Sequence, residues 1–390
     1  MKIKFESENK DELLYATRVV SSLVLPQSSL PILGNIMVRA SGDEVTFVGS
    51  DMDSSVRCKI KASVKEEGET TVPAGPFSEL VKELPKADVL FELTKDGLVH
   101  IEAGKNDYDL QTMPATDFPA WSDFEPQTSF ELSQKSLRRM IEKILFAIPT
   151  KDPRKVLIGA YLTVDLVIPD FLDSKGLEDP AHIRLVSTDG KKLGYIDMLA
   201  GRCKGESAIG TIIPQKVMAE LAKVLTGEGL VDIHLGESKI SFTLGDTQFI
   251  TNKIDGDFPN YEMVIPKEFD HVVGLNKEAF IKAAKRAAIM TESLNNAISF
   301  HFKPGEMELE ALTFDLGSYK GSIFKPDVEY EGEPFKLSFN YKYLLEALLV
   351  METEKIELHM KTPSQPIIFH EDGHSETLFL VMPIKMSPVE

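Results

Sequence analysis

One order of predicted elements occurs three times along this chain, and it limits the possible folds more than any single motif. A long amphipathic helix, a group of short strands, a shorter helix and a strand hairpin follow one another near Lys10, again after Ser133 and again after Asn276. Corresponding points lie ~130 residues apart, far beyond the ~20–50-residue period of solenoid repeats. We therefore expect three domain-sized copies of one building block.

Proline-bearing steps separate the copies. Residues 112–121 (TMPATDFPAW) and 253–266 (KIDGDFPNYEMVIP) each follow a strand-like run, and residues 378–386 (LFLVMPIKM) form a fainter echo. Such steps restrict the backbone and are rare inside helices and central strands. The predicted domains are residues 1–124, 129–254 and 265–390.

The element types within each copy predict an α+β fold. The helices are expected at residues 10–24, 73–85, 133–148, 213–226, 276–290 and 340–352. Ser133 is placed to cap the third of these, which has the clearest apolar stripe. Short runs rich in β-branched residues, such as 30–38 (LPILGNIMV) and 155–167 (KVLIGAYLTVDLV), predict strands, and Asp-Gly turns at Gly97 and Gly373 predict antiparallel hairpins. Two helices packed on one side of an antiparallel sheet are therefore expected in each copy.

Composition excludes several protein classes. The formal net charge is -18, with 43% hydrophobic and 27% charged residues, a mixture typical of soluble globular proteins. No apolar run approaches membrane-spanning length, and the first ten residues lack the apolar core of a signal peptide, so we expect a cytoplasmic protein without a membrane partner. Cys58 and Cys203 are too few for a disulfide framework or a cysteine-based zinc site.

No set of residues has the spacing of a catalytic or metal site. Residues 188–192 (TDGKK) lack the upstream glycine of a phosphate loop and favour a hairpin turn, and residues 370–374 (HEDGH) place two histidines in a turn. Asp51, Asp189 and Asp315 recur once per copy, which turn chemistry explains. We predict a binding protein without catalytic residues, metal or cofactor. A three-domain enzyme is disfavoured, and a scaffold that binds only proteins stays open.

Basic residues concentrate on particular helices of this acidic chain. The long helices of the second and third copies carry clusters that face few acidic residues: Lys135, Arg138, Arg139, Lys143, Lys277, Lys282, Lys285 and Arg286. The short helices add further lysines: Lys82, Lys216, Lys223 and Lys342. Solvated helix faces are usually mixed in sign, as on the first helix. Charge is therefore segregated within the chain.

Five segments resemble the bacterial sliding clamp family, the beta subunit of DNA polymerase III. They are LPILGNI (30–36), TDGKKL (188–193), DGDFPNY (255–261), FNYKYLLEAL (339–348) and LVMPIKM (380–386), which together span nearly the whole chain. The resemblance implies three similar domains per chain and two chains closed head to tail as a ring, with helices inside. It also implies a non-catalytic processivity factor that encircles duplex DNA without sequence preference.

The same resemblance implies a partner pocket between the second and third domains. Its ligands would be peptides of the DNA polymerase III catalytic subunit, the clamp loader and other proteins with a clamp-binding motif. Carried over by position, the pocket comprises Leu157, Thr188, Gly190, Lys191, Lys192, Leu193, Pro259, Met263, Val264, Pro366, Leu380, Val381, Met382, Pro383 and Ile384. Family members often have His-Arg in place of Lys191-Lys192 and Arg in place of Met263, so the peptide preference is expected to differ.

DNA contacts and the joint between subunits also carry over by position. The implied DNA contacts are Arg138, Arg139, Arg154, Lys216, Lys285, Arg286 and Lys342. The homodimer joint would place Tyr108 and Leu110 of one chain against Ile289 and Met290 of the other. An acidic cluster that some relatives have at this joint is absent from residues 312–320 (LTFDLGSYK).

Overall fold

The computed structural model describes residues 1–25, 28–291, 296–313 and 316–384, with the side chains of Ala208 and Ile209 left out. The chain folds into two compact units. Unit 1 comprises Met1–Arg138, Ala200–Glu206 and Lys216–Lys253, and unit 2 comprises Arg139–Leu199, Ser207–Gln215 and Ile254–Glu390.

Six α-helices occur in the described residues, two for each predicted copy. They are α1 (Lys10–Ser21), α2 (Ala74–Glu83), α3 (Gln134–Leu145), α4 (Gln215–Val224), α5 (Lys277–Ala288) and α6 (Tyr341–Val350). The Ser133 hydroxyl accepts a hydrogen bond from the Ser136 amide at 3.0 Å, and Asn276 Oδ1 accepts one from the Ala279 amide at 2.9 Å. These bonds satisfy amides that the first helical turn leaves unpaired. The six predicted helices and the Ser133 cap are confirmed, and none of the described helices could cross a membrane.

Unit 1 contains two antiparallel sheets. The first has the order β5 (Ser63–Glu66), β1 (Lys2–Phe5), β7 (Val89–Leu93), β8 (Leu98–Ala103) and β9 (Asn106–Gln111). The second has the order β6 (Gly68–Pro73), β2 (Asn35–Ser41), β3 (Glu44–Ser50), β4 (Ser54–Lys61), β17 (Thr247–Asn252), β16 (Lys239–Leu244), β15 (Leu230–Leu235) and β10 (Thr128–Ser133). Because β4 pairs with β17, this sheet joins strands of the first and second copies.

Unit 2 contains three antiparallel ladders. The first is β14 (Ala208–Pro214), β11 (Gly159–Asp165) and β12 (Ala181–Thr188). The second is β13 (Lys192–Gly205, of which residues 192–199 belong to unit 2), β26 (His374–Val381), β25 (Ile367–Glu371), β24 (Lys355–Met360), β18 (His271–Asn276) and β22 (Val328–Glu329). The third is β21 (Gly317–Phe324), β20 (Glu306–Thr313), β19 (Ala297–Lys303) and β23 (Phe335–Asn340). The pairing of β13 with β26 joins strands of the second and third copies.

The core of the third copy shows how helices and sheets pack. Phe280 and Ala284 on α5 and Leu344 and Leu348 on α6 lie in one buried cluster with apolar side chains of the sheets, such as Phe300. All five side chains are at most 1% exposed. Burial of these faces is the main stabilising contribution to the fold. Helices packed on antiparallel sheets agree with the predicted α+β class.

Two predicted strands begin later than the sequence indicated. The stretch at residue 30 opens with a 3-10 helix, Pro31–Gly34, before β2, and the stretch at residue 155 opens with another, Lys155–Leu157, before β11. Strand β11 also ends at Asp165, earlier than the apolar run that continues through Val167. A fixed proline φ accounts for the first delay.

The recurring aspartates act as turn residues, as predicted. Asp51 Oδ1 accepts from the Ser54 amide at 2.8 Å, and Asp189 Oδ1 accepts from the amides of Lys191 and Lys192 at 2.8 and 2.9 Å. Gly190 in the second turn has a φ of 86°, which favours glycine. Asp315 lies outside the described residues.

Candidate partner pocket and charged surfaces

The ladder of β13 and β26 brings together two of the segments that the pocket prediction used. Leu193 pairs with Leu380, and the Met382 amide donates to the Lys191 carbonyl at 2.8 Å. Directly opposite residues of an antiparallel pair point to the same face. Leu193, Leu380 and, one step further, Met382 therefore share one face of the ladder.

A compact apolar group covers this face, and we call it the Leu193 cluster. It contains Val186, Leu193, Tyr261 and Leu380, with Tyr161, Tyr195, Phe258, Ile265, Leu378 and Met382 packed against them. The rings of Tyr161 and Phe258 stack with centroids 4.8 Å apart. Leu193, Leu380 and Met382 of the predicted pocket thus lie together in a preformed apolar floor.

The segment that follows the second Asp-Phe-Pro step lies over this floor. Its 3-10 helix, Tyr261–Val264, buries Tyr261 in the Leu193 cluster. Met263 and Val264 are 82% and 47% exposed, and Pro259 is also exposed. Large exposed apolar side chains beside a preformed apolar floor are typical of a ligand site.

Two adjacent lysines at the pocket have different environments. Lys192 is 8% exposed, its ammonium is bonded to Glu346, and it lies 5.4 Å from the centroid of the Tyr343 ring. Lys191 is exposed, with its ammonium 5.8 Å from the same centroid. Lys192 therefore fastens the turn to α6, and Lys191 is the one accessible to a partner.

Arg154, predicted as a DNA contact, lies against the turn after β12. Its Nη2 donates to the Asp189 carbonyl at 3.2 Å, beside Gly190. Its guanidinium also binds Asp152, which lowers the pKa of that carboxyl to about 2. Thr188 completes the turn, since its hydroxyl donates to the Lys192 carbonyl at 2.7 Å and accepts from the Gly190 amide at 3.0 Å.

The remaining predicted pocket residues divide into buried and partly exposed positions. Val381 is fully buried in the core of the third copy, on the opposite face of β26 from Leu380, and Leu157 is 1% exposed outside the Leu193 cluster. Both side chains are therefore closed to solvent in this structure, and their place in the pocket stays a prediction. Pro366, Pro383 and Ile384 are partly exposed, and the Ile384 amide donates to the Ser338 carbonyl at 2.7 Å.

Four of the predicted DNA contacts are exposed basic side chains on helices: Arg138, Lys285, Arg286 and Lys342. Arg138 donates to the Leu225 carbonyl at 3.3 Å, and Arg286 donates to the Tyr319 hydroxyl at 3.4 Å. Lys285 and Arg286 lie in the last turn of α5, where positive charge is favourable.

Three other basic residues counted as part of the same pattern are held by acidic neighbours. Arg139, 17% exposed at its side chain, binds Glu352 and Glu376 at 2.9 Å each. Lys143, 2% exposed at its side chain, binds Glu371 at 2.7 Å, so it is a buried, ion-paired residue although it was grouped with the basic cluster of this helix. Lys216 binds Asp51 at 2.6 Å. The acidic partners are distant in sequence, and helical spacing could not reveal them.

The predicted joint residues lie at or beside the ends of sheets. In the described residues β9 pairs only with β8 and β21 only with β20. Tyr108 and Leu110 of β9 stand opposite Ile101 and Val99, both fully buried, and therefore point to the core side of the sheet. Ile289, just after α5, is 68% exposed.

Sequence reasoning did not find two clusters with the composition of a metal site. His100, Glu102 and Asp107 form one, and His301, Glu308 and Glu310 form the other. Lys320 binds both Glu308 and Glu310 at 3.1 Å, so these carboxylates already have a cationic partner. Burial and the nearby Lys336 lower the pKa of His301.

Models of three protein domains match this chain. They are described as the N-terminal, central and C-terminal domains of the DNA polymerase III beta subunit, and they match residues 3–122, 131–260 and 262–385. Together these matches cover almost all of the chain.

Curated relatives and solved structures are similar over nearly the full length. A beta sliding clamp of Pseudomonas putida is 31% identical over 380 residues, covering 97% of this chain and 98% of the relative. One of Caulobacter vibrioides is 30% identical over 381 residues, covering 96% and 98%. A DnaN sliding clamp of Pseudomonas aeruginosa bound to griselimycin has a TM-score of 0.89 at 27% identity, covering 99% of this chain and 100% of that chain.

Proposed function

Because this chain belongs to the family of bacterial beta sliding clamps, the processivity subunits of DNA polymerase III, we propose that two copies close around duplex DNA and hold partner peptides in the β13–β26 pocket. We propose three domains at residues 1–124, 129–254 and 265–390, and the three matched domain models support three domains, at residues 3–122, 131–260 and 262–385. We assign the chain no catalytic activity. We propose that it acts in the cytoplasm, where bacterial DNA is replicated.

The observation that carries the pocket proposal is the Leu193–Leu380 pair beside the exposed Met263 and Val264. A rigid apolar floor binds apolar side chains of a peptide with little loss of its own conformational entropy, because it is already ordered. Griselimycin, bound to a relative with the same fold, is the natural small probe of this pocket. The proposed macromolecular partners are the DNA polymerase III catalytic subunit, the clamp loader and other proteins with a clamp-binding motif.

We propose sequence-independent contact with DNA through Arg138, Lys285, Arg286 and Lys342, whose exposed charges suit phosphates. Arg139 and Lys216 are already bound to carboxylates. Both are also only partly exposed, so we give these two a structural role and propose direct contact for the other four because they are more exposed. Arg154 is assigned to the rim of the peptide pocket because it binds the Asp189 carbonyl.

Ring closure is proposed through the edges of β9 and β21. An edge strand offers unpaired amides and carbonyls to another strand. Sheet alternation would place Tyr108 and Leu110 of one chain on the same side as Tyr319 of the other, since Tyr319 stands opposite the buried Ala311. The outer faces would bring Asp109 and Lys320 to the same side of the joint, with opposite charges.

The first test is the mass of the protein in solution. Light scattering at micromolar concentration should give twice the 43.4 kDa of one chain. Griselimycin should bind each chain of that dimer. A monomeric mass would contradict ring closure, and a dimer that does not bind griselimycin would contradict the pocket.

A further inference from the structure

The loop between β11 and β12 is much longer than its two strands require. These strands are antiparallel neighbours with Asp165 opposite His182, a geometry that a tight hairpin turn of a few residues can join. The chain instead uses all of residues 166–180, which form no helix or strand. Connections of this length without regular structure usually serve binding or another function.

This loop exposes large apolar side chains. Leu166, Val167, Phe171 and Leu177 are 51%, 75%, 49% and 41% exposed. Apolar side chains concentrated in one exposed segment are a feature of interaction surfaces. Phe171 differs from Val167 because it lines a groove.

The groove has a volume of about 730 Å³, and half of its lining residues are aromatic or aliphatic, the others being polar or charged. Phe171 and Met263 line it together with Tyr195, Tyr261 and Leu378. At its edge Arg184 lies 4.6 Å from the centroid of the Tyr195 ring and binds Asp197 at 2.8 Å, so its charge is balanced. Arg184 therefore does not by itself favour an anion, and the aromatic and aliphatic half of the lining can take an apolar side chain.

The groove continues the apolar row of the peptide pocket. On the β13–β26 ladder the pair Leu193–Leu380 is followed on the same face by the pair Tyr195–Leu378. Two residues along a strand advance by roughly 7 Å. The first pair belongs to the pocket and the second lines the groove, and Tyr261 contacts both through the Leu193 cluster.

We propose that this groove is a second docking site for the same partner segment that enters the peptide pocket. Residues flanking the anchor motif would run along the β13–β26 row and place a leucine or aromatic side chain between Phe171 and Met263. This inference rests on the proposed pocket. A second copy of the chain is the less suitable occupant, because no groove residue belongs to β9 or β21, the edges assigned to ring closure.

The proposal predicts that the loop affects the affinity of long ligands and not that of short ones. Griselimycin, as a compact probe of the pocket, is insensitive to the loop. A partner protein gains a further apolar contact from Phe171, which is absent when the ligand ends at the pocket. Discrimination among partners then depends partly on the residues beside the anchor motif.

The experiment compares Phe171→Ser with the matched control Val167→Ser in the full dimer. Both side chains are exposed in one loop, but only Phe171 lines the groove. The probes are griselimycin and the full-length DNA polymerase III catalytic subunit encoded by the same genome. We expect Phe171→Ser to weaken the affinity for the catalytic subunit by about tenfold and to leave the affinity for griselimycin unchanged. Val167→Ser should change neither affinity.

Equal affinity of Phe171→Ser and the unaltered protein for the catalytic subunit would overturn the second site, as would an equal loss for both variants. Failure of the unaltered protein to bind either probe would overturn the pocket and the groove together. A photoreactive side chain at position 171 supplies an independent readout. It should crosslink to the segment flanking the anchor motif, and a crosslink only to another copy of this chain would refute the assignment.

Discussion

Lys143 Nζ lies 2.7 Å from Glu371 Oε2, and the two side chains are only 2% and 0% exposed. The ammonium also donates to the Val350 carbonyl at 2.7 Å. A buried pair of this kind is costly to break because the remaining charge loses its partner without regaining water.

Replacing Lys143 with Met should therefore lower the free energy of unfolding by ~3–5 kcal/mol. The double variant Lys143→Met with Glu371→Leu should recover part of the loss, since it removes the orphaned carboxylate. Urea denaturation measures both, with the exposed Lys135→Met as the control. A Lys143→Met protein as stable as the control would show that the pair does not contribute.

This pair also shows how far sequence reasoning reaches. Helical spacing predicted α3 and its Ser133 cap, because both depend on residues close in the chain. The same spacing grouped Lys143 with the basic cluster of α3 and could not show its burial, because Glu371 approaches only through tertiary packing. For the same reason the placement of Leu193 and Leu380 in one pocket was available only through a family resemblance, and the structure adds their pairing across two strands.

The groove shows a second limit. The apolar run through Val167 was interpreted as a strand because apolar residues with β-branching favour one. The strand ends at Asp165, and the rest of the run is exposed. Sequence alone does not distinguish an apolar residue buried in the core from an exposed apolar residue of a binding surface.

Removal of the chain from Met382 onward should abolish partner-peptide binding and leave the dimer intact. The truncation takes away one side chain of the Leu193 cluster and the hydrogen bond from the Met382 amide to the Lys191 carbonyl. Fluorescence anisotropy with a labelled polymerase peptide measures affinity, and light scattering measures mass. Unchanged peptide affinity would place the pocket elsewhere.

A charge at Ile289 should give folded monomers. This side chain is 68% exposed, so a single folded chain should tolerate Ile289→Asp. In the proposed joint the new carboxylate would lose its water without gaining a charged or hydrogen-bonding partner, which opposes dimer formation. Val272→Asp, at an exposed position of β18, is the control and should remain dimeric. Light scattering gives the mass and circular dichroism the fold. A dimeric Ile289→Asp protein would argue against this joint.

Alanine at both Lys285 and Arg286 should weaken DNA contact and flatten its salt dependence. Each lost phosphate contact reduces the slope of log affinity against log salt by about 0.9. The control is Lys95→Ala, in the exposed β7–β8 turn. Titrations of duplex DNA at several salt concentrations measure the slope. A slope equal to that of the control would exclude α5 from DNA contact.

Acid should destabilise the protein partly through Asp197. Burial opposes its charge, but hydrogen bonds from His182, Arg184 and Tyr195 outweigh that effect and lower the pKa of Asp197 below the ordinary value of an aspartate. A carboxyl with a lowered folded-state pKa stabilises the fold above its unfolded pKa and loses that contribution as pH falls through the folded one. As the pH falls below about 4, the Asp197→Asn variant should therefore lose less stability than the unaltered protein. Urea titrations at several pH values measure this difference. An unchanged pH dependence would mean that Asp197 titrates alike in both states.

Topological retention on DNA tests the central claim most directly. The protein is loaded by its clamp loader onto a nicked circular duplex, the circle is cut once with a restriction enzyme, and bound protein is followed by gel filtration. A net charge of -18 disfavours simple adhesion to DNA, so a closed ring should stay on the circle and slide off the linear product. Protein that remains on linear DNA with free ends would contradict the sliding ring.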